Sequence, residues 1–455
     1  MRALQRKLLR DLITLRTQAV AIALVIASGV ATFVMSISML HSMERTRDAY
    51  YGECHFAHLF VTVKRAPERL ATRLAEIPGV ASVQTRVVVE VPLDLPDMLE
   101  PAVGRIVSIP DWGEPSLNRL HLRRGRLPEP DRRGEVVVNE AFALAHHLVP
   151  GDRFRAVLNG RRESLLVTGV ALSPEYVYQI RGGDLFPDDR RFGVLWMRRR
   201  PLEAAFDLRQ AFNDATFTVM HGAIEAAVIR RIDDLLAPYG GRGAIGRADQ
   251  VSHRYLSDEL TQLRAMAYVP PVIFLLVAAF VLNLVLGRLI STQREQIAVL
   301  KAFGYTRASL GWHYSQMALV IVFTGVALGA AAGFWLGENL AEIYANFFRF
   351  PTLLFRLDPL AVLQAAGVSL LASAIGVGSA VGRVVRLAPA EAMKPEAPAP
   401  YRPSWLERRG LSPWRSQTSR MIARQISRHP LRASLSPWAS PLPSRSWSSV
   451  PLGVT

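Results

Sequence analysis

The segment VIFLLVAAFVLNLVLG, residues 272–287, contains no charged residue, and Asn283 is its main polar side chain. It lies inside a longer uncharged interval bounded by Arg264 and Arg288. A bilayer core about 30 Å thick requires roughly 20 apolar residues in a helix that rises about 1.5 Å per residue. The segment therefore predicts a membrane-spanning helix, which we place at residues 266–287.

Three further uncharged runs of similar length lie at residues 19–40, 316–337 and 359–382. A charge at the centre of a span costs about 2.5–3.5 kcal/mol, so four charge-free runs favour membrane spans over buried helices of a soluble core. The first run is longer than the apolar part of a signal peptide, so we interpret it as an uncleaved anchor. The sequence thus predicts a multi-pass membrane protein.

Basic residues predict the orientation of these spans, because short cytoplasmic loops of membrane proteins carry an excess of Lys and Arg. The basic N-terminal segment 1–18 contains five of them and the loop 288–315 contains four, whereas the loop between the third and fourth spans balances two arginines with carboxylates. We therefore expect the N terminus, the loop 288–315 and the segment after residue 382 to be cytoplasmic. Residues 41–265 are then extracytoplasmic.

The extracytoplasmic segment is predicted to be a mixed α/β domain. Apolar runs and alternation predict strands at HLFVTVK (58–64) and SVQTRVVVEV (82–91). Asn159-Gly160, between two further strand patterns, predicts a tight hairpin. The expected fold class is an α+β membrane protein, with four transmembrane helices and a large extracytoplasmic mixed α/β domain inserted between helices 1 and 2.

Both ends of this domain continue the helical pattern of the adjoining spans. Met39 and Met43 lie at and just beyond the end of the first span, and Leu256, Leu260 and Leu263 precede the second at spacings of four and three. The spacing predicts two amphipathic helices that pack on each other. They are either a structural support or a stalk that transmits displacement from the membrane to the domain, and the pattern fits both.

The composition of the chain excludes several functions. Its 455 residues include one cysteine, Cys54, which excludes an intramolecular disulfide and a cysteine-based zinc site. None of the four lysines follows a glycine, so the chain has no phosphate-binding loop of the G-x-x-x-x-G-K-[ST] type. GGRGAIG (240–246) spells G-x-G-x-x-G, but a predicted helix precedes it, so we expect a turn there and no dinucleotide site. We predict no catalytic residue, no metal site and no cofactor in this chain.

The most specific pattern is STQREQIAVLKAFGYTRASL, residues 291–310, between the second and third spans. Ile297, Leu300 and Phe303 predict one apolar face of a short helix. Gly304 is expected to end this helix as its C-cap. A plain amphipathic connector lying on the membrane is the alternative interpretation.

Residues 293–304, QREQIAVLKAFG, closely resemble the coupling helix of FtsX-like ABC transporter permeases. The arginine lies closer to Glu295 than in the family pattern. The sequence RLAPAEAMKPE (386–396) resembles the family's segment after the last span, and one span, a large external domain and three spans are the plan of MacB-like permeases. The resemblance covers residues 1–396.

This resemblance implies a permease subunit that is not itself an enzyme. ATP and Mg²⁺ would be bound by a separate ABC ATPase, which drives export, extraction or mechanotransmission at the outer face of a bacterial inner membrane. The other implied partners are a second permease half or a homodimer partner, and a periplasmic adaptor, lipid or lipoprotein; nucleic acid is not expected. The residues implied to contact the ATPase are Arg294, Glu295, Ile297, Leu300, Lys301, Ala302 and Gly304.

The C-terminal part predicts a second, broken repeat. Within the cytoplasmic segment 383–435, SRMIARQISRHPLRASL (419–435) is similar to the N-terminal LQRKLLRDLITLRTQAV (4–20). Residues 436–455 are rich in Ser, Pro and Trp and are expected to be a disordered or frame-shifted tail. A frame shift implies a parent protein with two repeats, whereas an intact frame implies a single-repeat half-transporter that forms homodimers.

The sequence fits two other functional classes less well than it fits a permease. A membrane receptor or sensor with an extracytoplasmic ligand-binding domain is disfavoured, because the cytoplasmic segments contain no sizeable signalling domain. A membrane-bound hydrolase is disfavoured because neither H-E-x-x-H nor G-x-S-x-G occurs in the sequence.

Overall fold

The computed structural model describes residues 2–95, 98–184 and 186–385. In chain order its helices are α1 (Arg2–Thr14), α2 (Arg16–Glu53), α3 (Leu70–Ala75), α4 (Glu140–Ala145), α5 (Arg199–Ala205), α6 (Glu225–Leu236), α7 (Val251–Thr292), α8 (Arg294–Ala302), α9 (Arg307–Phe347) and α10 (Pro359–Val385). Its strands are β1 (Leu59–Pro67), β2 (Val80–Arg86), β3 (Val88–Asp94), β4 (Ala102–Ile109), β5 (His121–Gly125), β6 (Glu135–Asn139), β7 (Arg153–Leu158), β8 (Arg161–Leu172), β9 (Phe192–Arg198), β10 (Ala211–Val219) and β11 (Ala244–Gly246). The features predicted after residue 385, namely the segment 386–396, the second repeat and the tail, lie outside the described residues.

Four of these helices, α2, α7, α9 and α10, are long and apolar enough to cross a membrane. Each contains one of the predicted spans, so the prediction of four apolar helices is confirmed and the chain is a multi-pass membrane protein. α2 has 38 residues and α7 has 42, about twice the length that a bilayer requires. α7 runs as one helix through Pro270 and Pro271.

Helices α2 and α9 approach each other closely at three glycines. A Cβ atom on Gly325, Gly329 or Gly333 of α9 would lie 2.9, 2.7 and 2.9 Å, respectively, from a backbone carbonyl oxygen of α2. Small residues repeated every four positions allow the backbones of membrane helices to pack directly together. The second helix contact of α2 is with α7, where a Cβ on Gly29 would lie 3.0 Å from Phe274.

The extensions of α2 and α7 pack together beyond the apolar runs. Met39, Met43, Leu256 and Leu260 are buried in one apolar cluster. The predicted packing of two amphipathic helices is therefore confirmed. The same cluster includes Phe348 from the segment after α9, so three chain segments meet beneath the α/β domain.

The first sheet has the order β11-β1-β10-β2, and all its pairs are antiparallel. Helices α3 and α6 share its core through Leu74 and Ile232. The turn expected over GGRGAIG is correct only at its start, where Gly240 lies in a turn. Residues 244–246 instead form β11, in which Ile245 pairs with Phe60 of β1. A helix precedes β11, so the segment lacks the strand–turn–helix setting of a dinucleotide site.

The second sheet has the order β5-β8-β6-β9-β4-β3-β7, and β7 also pairs with β8. This extra pairing closes β8, β6, β9, β4, β3 and β7 into a ring, with β5 attached to β8. The ring encloses apolar residues that include Ile106, Val138 and Leu195. Asn159 and Gly160, with φ of +45° and +80°, form the predicted hairpin between β7 and β8.

Candidate functional site

The short helix α8 follows α7 with one intervening residue, Gln293. Its C-terminus is closed by backbone hydrogen bonds in which Gly304 N donates to Lys301 O over 3.0 Å and Tyr305 N donates to Leu300 O over 3.1 Å. Gly304 has φ of +88°, the left-handed conformation that this pair of bonds requires and that glycine adopts without strain. The chain can therefore reverse directly into α9.

One face of α8 is anchored in the helix bundle. Ile297 and Ala298 are buried, and Ile297 packs in a cluster that includes Leu286 of α7 and Tyr314 of α9. Ile297 is 2% exposed, so it holds α8 in place and presents no surface to a partner. Leu300 packs against the same cluster.

The opposite face of α8 is exposed, and we call it the α8 outer face. It consists of Glu295, Gln296, Val299, Ala302 and Phe303. The prediction that Phe303 shares one apolar face with Ile297 and Leu300 was wrong: Ile297 is buried, whereas Phe303 is 80% exposed. Successive residues of a helix are about 100° apart around its axis, so six residues cover about 600°. This is about 120° short of two full turns, so Phe303 points about 120° away from Ile297.

Two further predicted contact residues belong to α8. Arg294 is its first residue and Lys301 is half-buried in its last turn. The loop 288–315 has four basic residues and one carboxylate, Glu295. The α8 outer face therefore combines the apolar side chains of Val299, Ala302 and Phe303 with Gln296 and a single acidic group, Glu295, at its N-terminal end.

A polar network, here called the Gln293 network, fixes the junction between α7 and α8. Lys7 Nζ donates to Asp11 Oδ2 over 2.7 Å and to Gln293 Oε1 over 2.8 Å. Gln293 Nε2 donates to Asp11 Oδ1 over 3.1 Å, and the Tyr314 hydroxyl donates to Gln293 Oε1 over 3.0 Å. Because Asp11 and Tyr314 are buried, these bonds connect α1, the α7–α8 junction and α9 in a low-dielectric environment.

The sequence analysis missed this network because it counted Lys7 only as a charge that orients the first span. The available signal was Asp11, a carboxylate four residues after Lys7 in an otherwise basic segment, a spacing that brings two side chains together on a helix. Its long-range partner, Gln293, has no local signal.

We expect Gln293→Ala to loosen α8. Losing the amide removes the hydrogen-bond donor to Asp11 Oδ1 and the acceptor of the Tyr314 hydroxyl, and an unsatisfied buried group costs about 1–3 kcal/mol. Amide hydrogen exchange of residues 294–302 in the full chain should then be about 5- to 150-fold faster. Gln296→Ala, on the α8 outer face, is the matched control and should leave exchange unchanged. Equal exchange in the two variants would show that the network does not hold α8.

No metal centre accompanies these elements in the described ranges, where no group of three His, Cys, Asp or Glu side chains is placed to hold a metal ion.

Residues 268–389 match the family model of the FtsX-like permease C-terminal domain. The matched segment contains most of α7 and all of α8, α9 and α10, so it includes the α8 outer face. The recognition of an FtsX-like permease segment is therefore confirmed, and residues 268–389 form a domain of that family. No curated protein sequence matches the chain at a significant level.

Three solved structures are similar to parts of the chain. The periplasmic region of MacB from Actinobacillus actinomycetemcomitans is 12% identical, covers 46% of this chain and 95% of its own, and has a TM-score of 0.29. The extracellular domain of the noncanonic ABC-type transporter YknZ from Gram-positive bacteria is 13% identical, covers 41% and 98%, and has a TM-score of 0.27. A domain of a putative permease protein from Porphyromonas gingivalis is 10% identical, covers 42% and 90%, and has a TM-score of 0.26. Since all three TM-scores are below 0.5, the family assignment rests on the match over residues 268–389.

Proposed function

We propose that this chain is the permease subunit of an ABC transporter and that a separate ABC ATPase binds the α8 outer face from the cytoplasm. The match over residues 268–389 supports the permease class. The exposed Val299 and Phe303 support a protein contact, because large apolar side chains at a charged helix terminus are costly to leave in water. The partner would supply the ATP and Mg²⁺ site.

The observation that carries the proposal is the continuity of α7 with α8. α7 has 42 residues, about 63 Å, and reaches from the α/β domain to Gln293 without a break. Because α8 begins at the next residue and Ile297 packs in the bundle, a displacement of α8 moves the end of α7. We infer that ATP-driven motion reaches the extracytoplasmic domain along this helix, as export, extraction or mechanotransmission.

The domain end of α7 is hydrogen-bonded to the turn that follows β8 of the seven-stranded sheet. The Gln250 side chain accepts a hydrogen bond from His253 N over 2.7 Å and donates to the Glu175 carbonyl over 2.8 Å. The Ser252 hydroxyl accepts from Tyr178 N over 2.9 Å. These bonds support α7 as the transmitting element, since its first turn cannot shift without moving the turn after β8.

The apolar surface of the bundle supports a further partner in the membrane. Leu276, Phe280 and Leu284 of α7 are more than half exposed. In the bilayer this face contacts lipid or a second permease unit, which is either a homodimer partner or a second permease half. We place the assembly in the bacterial inner membrane, with the N terminus cytoplasmic.

The experiment that tests the ATPase contact is co-purification of the full chain in mild detergent, with bound proteins identified by mass spectrometry. The native chain should retain a protein that carries the G-x-x-x-x-G-K-[ST] motif. Glu295→Arg should lower its recovery by at least about tenfold, because a reversed charge at an interface costs several kcal/mol.

Glu338→Arg is the matched control, because Glu338 is an exposed carboxylate near the end of α9 that lies farther from α8. It should retain the ATPase. Recovery of the same ATPase by Glu295→Arg and by the native chain would contradict the proposed contact.

A further inference from the structure

A cavity of about 280 Å³ lies between α2 and the segment that joins α9 to α10, at the end of the bundle nearest the α/β domain. Arg45 and Thr46 of α2 line one side, and Leu354 and Arg356 line the other. The volume is just below the range of pockets that enclose a drug-sized ligand, so the cavity fits a headgroup-sized molecule.

The wall of the cavity that contains Leu354 and Arg356 is held in place by hydrogen bonds at both of its ends. Arg356 N donates to Ser42 Oγ over 3.1 Å, and Asp358 N donates to Ser38 Oγ over 3.1 Å. His41 Nδ1 lies 2.6 Å from Asp358 Oδ2. At the other end of this segment, just after α9, Arg349 N donates to the Val177 carbonyl in the α/β domain over 2.8 Å. The two walls therefore keep a fixed relative position without a bound molecule.

Both arginines lie at the depth of lipid headgroups. The apolar run of α2 ends at Leu40, and Arg45 follows after five residues, about 7.5 Å of helix. Arg356 precedes the apolar run of α10 by three residues. The headgroup layer is roughly 5–8 Å thick on each side of the hydrocarbon core. Leu354 is 63% exposed beside Arg356, as expected for a wall that faces acyl chains.

The charges of the cavity select an anion. In the described part of the chain, neither Arg45 nor Arg356 makes an ion pair, although both are exposed. Glu53 also lines the cavity, but it lies eight residues beyond Arg45 on α2, about 12 Å farther from the bilayer. Guanidinium groups match phosphate oxygens with two parallel hydrogen bonds.

We propose that this cavity binds the phosphate of a phospholipid headgroup from the leaflet on the side of the α/β domain. Arg45 and Arg356 hold the phosphate, Thr46 offers a hydroxyl donor, and the acyl chains stay in the bilayer beside Leu354. A bound headgroup would then contact α2 and the segment before α10 together. The site does not depend on the contact between α8 and an ATPase, so either proposal can fail without the other.

Native mass spectrometry of the full chain tests this site. The chain is released from micelles containing phosphatidylglycerol or diacylglycerol with the same acyl chains, so that the two probes differ only in the headgroup. The native chain should retain phosphatidylglycerol and not diacylglycerol. Arg45→Gln/Arg356→Gln should retain it at least about tenfold less, since each hydrogen bond to a charged group is a strong one. Arg73→Gln/Arg230→Gln removes two exposed arginines outside the cavity and should bind like the native chain.

Three results would overturn the proposal. Equal retention of phosphatidylglycerol by the two double variants would show that the cavity arginines are not the ligands. Equal retention of diacylglycerol and phosphatidylglycerol by the native chain would show an apolar site. Full displacement of phosphatidylglycerol by millimolar inorganic phosphate would assign the site to the free anion. Elution at the native volume on gel filtration, together with an unchanged unfolding temperature, confirms that the double variants are folded.

Discussion

Replacing Arg86 with methionine should lower the free energy of unfolding of the α/β domain by about 3–5 kcal/mol, because two buried carboxylates would lose their counter-ion. For a domain of this size the midpoint of thermal unfolding should fall by roughly 6–20 °C. The measurement is thermal unfolding of the full chain in detergent.

The physical reason is the geometry around the guanidinium at the end of β2. Arg86 Nη1 donates to Glu175 Oε2 over 2.6 Å, Nη2 donates to Glu175 Oε1 over 3.1 Å, and Nε donates to Asp214 Oδ1 over 2.9 Å. Burial opposes the charge of Arg86, but the carboxylates of Asp214 and Glu175 outweigh it and raise the pKa of Arg86 well above its ordinary value. Arg86 therefore stays charged, and its removal leaves two largely buried carboxylates without their counter-ion.

The position of this ion pair gives it a second consequence. β2 and β10 belong to the four-stranded sheet, whereas Glu175 lies after β8 of the seven-stranded sheet. Glu175 also accepts the Gln250 hydrogen bond at the start of α7 through its carbonyl. Losing Arg86 should therefore loosen the connection between the sheets and α7 as well as the domain itself.

The matched control is Arg191→Met, which removes an arginine from an exposed pair with Glu100 at 3.6 Å. Exposed pairs contribute about 0–1 kcal/mol, so its unfolding temperature should stay close to that of the native chain. Similar losses of stability in the two variants would mean that the buried pair is not what joins the sheets.

Gly329→Leu should separate α2 from α9 and prevent recovery of a monodisperse protein. A Cβ at this position would lie 2.7 Å from both the Ala27 carbonyl oxygen and the Val30 Cβ, and one of these atoms belongs to the backbone and cannot rotate away. Overpacking costs typically 1–3 kcal/mol, and we expect a loss of at least about 3 kcal/mol where the obstacle is backbone. The measurement is the fraction eluting as a single species on gel filtration.

Gly367→Leu in α10 is the control for this substitution. It introduces the same side chain into another apolar helix, but a Cβ there has no atom within 4 Å. It should elute like the native chain. If the two leucine variants elute alike, the close approach of α2 and α9 is not what holds the bundle together.

The elements that the sequence predicted are those with a local physical signature. The uncharged run around residues 272–287 predicted the apolar part of α7, since charge exclusion and length are visible in any single segment. The spacing of Leu256, Leu260 and Leu263 predicted a buried face, and Asn159-Gly160 predicted a hairpin, because each depends on the periodicity or backbone preference of a few neighbouring residues.

The elements that were missed depend on residues far apart in the sequence. The ring of strands closes because β7 pairs with both β3 and β8. The hairpin pattern predicts the pairing with β8, but no local pattern predicts the pairing with β3. The glycines at 325, 329 and 333 occur in a run that already predicted a span, and only the position of α2 shows what they contact. For α8, the sequence located the helix, but the burial of Ile297 and the exposure of Phe303 depend on where the bundle lies.

The central claim is that an ABC ATPase binds the α8 outer face, and photo-crosslinking at Phe303 tests it most directly. Phe303 and Phe186 are 80% and 79% exposed, so a photoreactive benzoylphenylalanine can replace either one with little cost to the fold. On irradiation in cells, position 303 should capture a protein that carries the G-x-x-x-x-G-K-[ST] motif, and position 186, in the α/β domain, should not. Capture of no such protein at position 303, or equal capture at both positions, would contradict the claim.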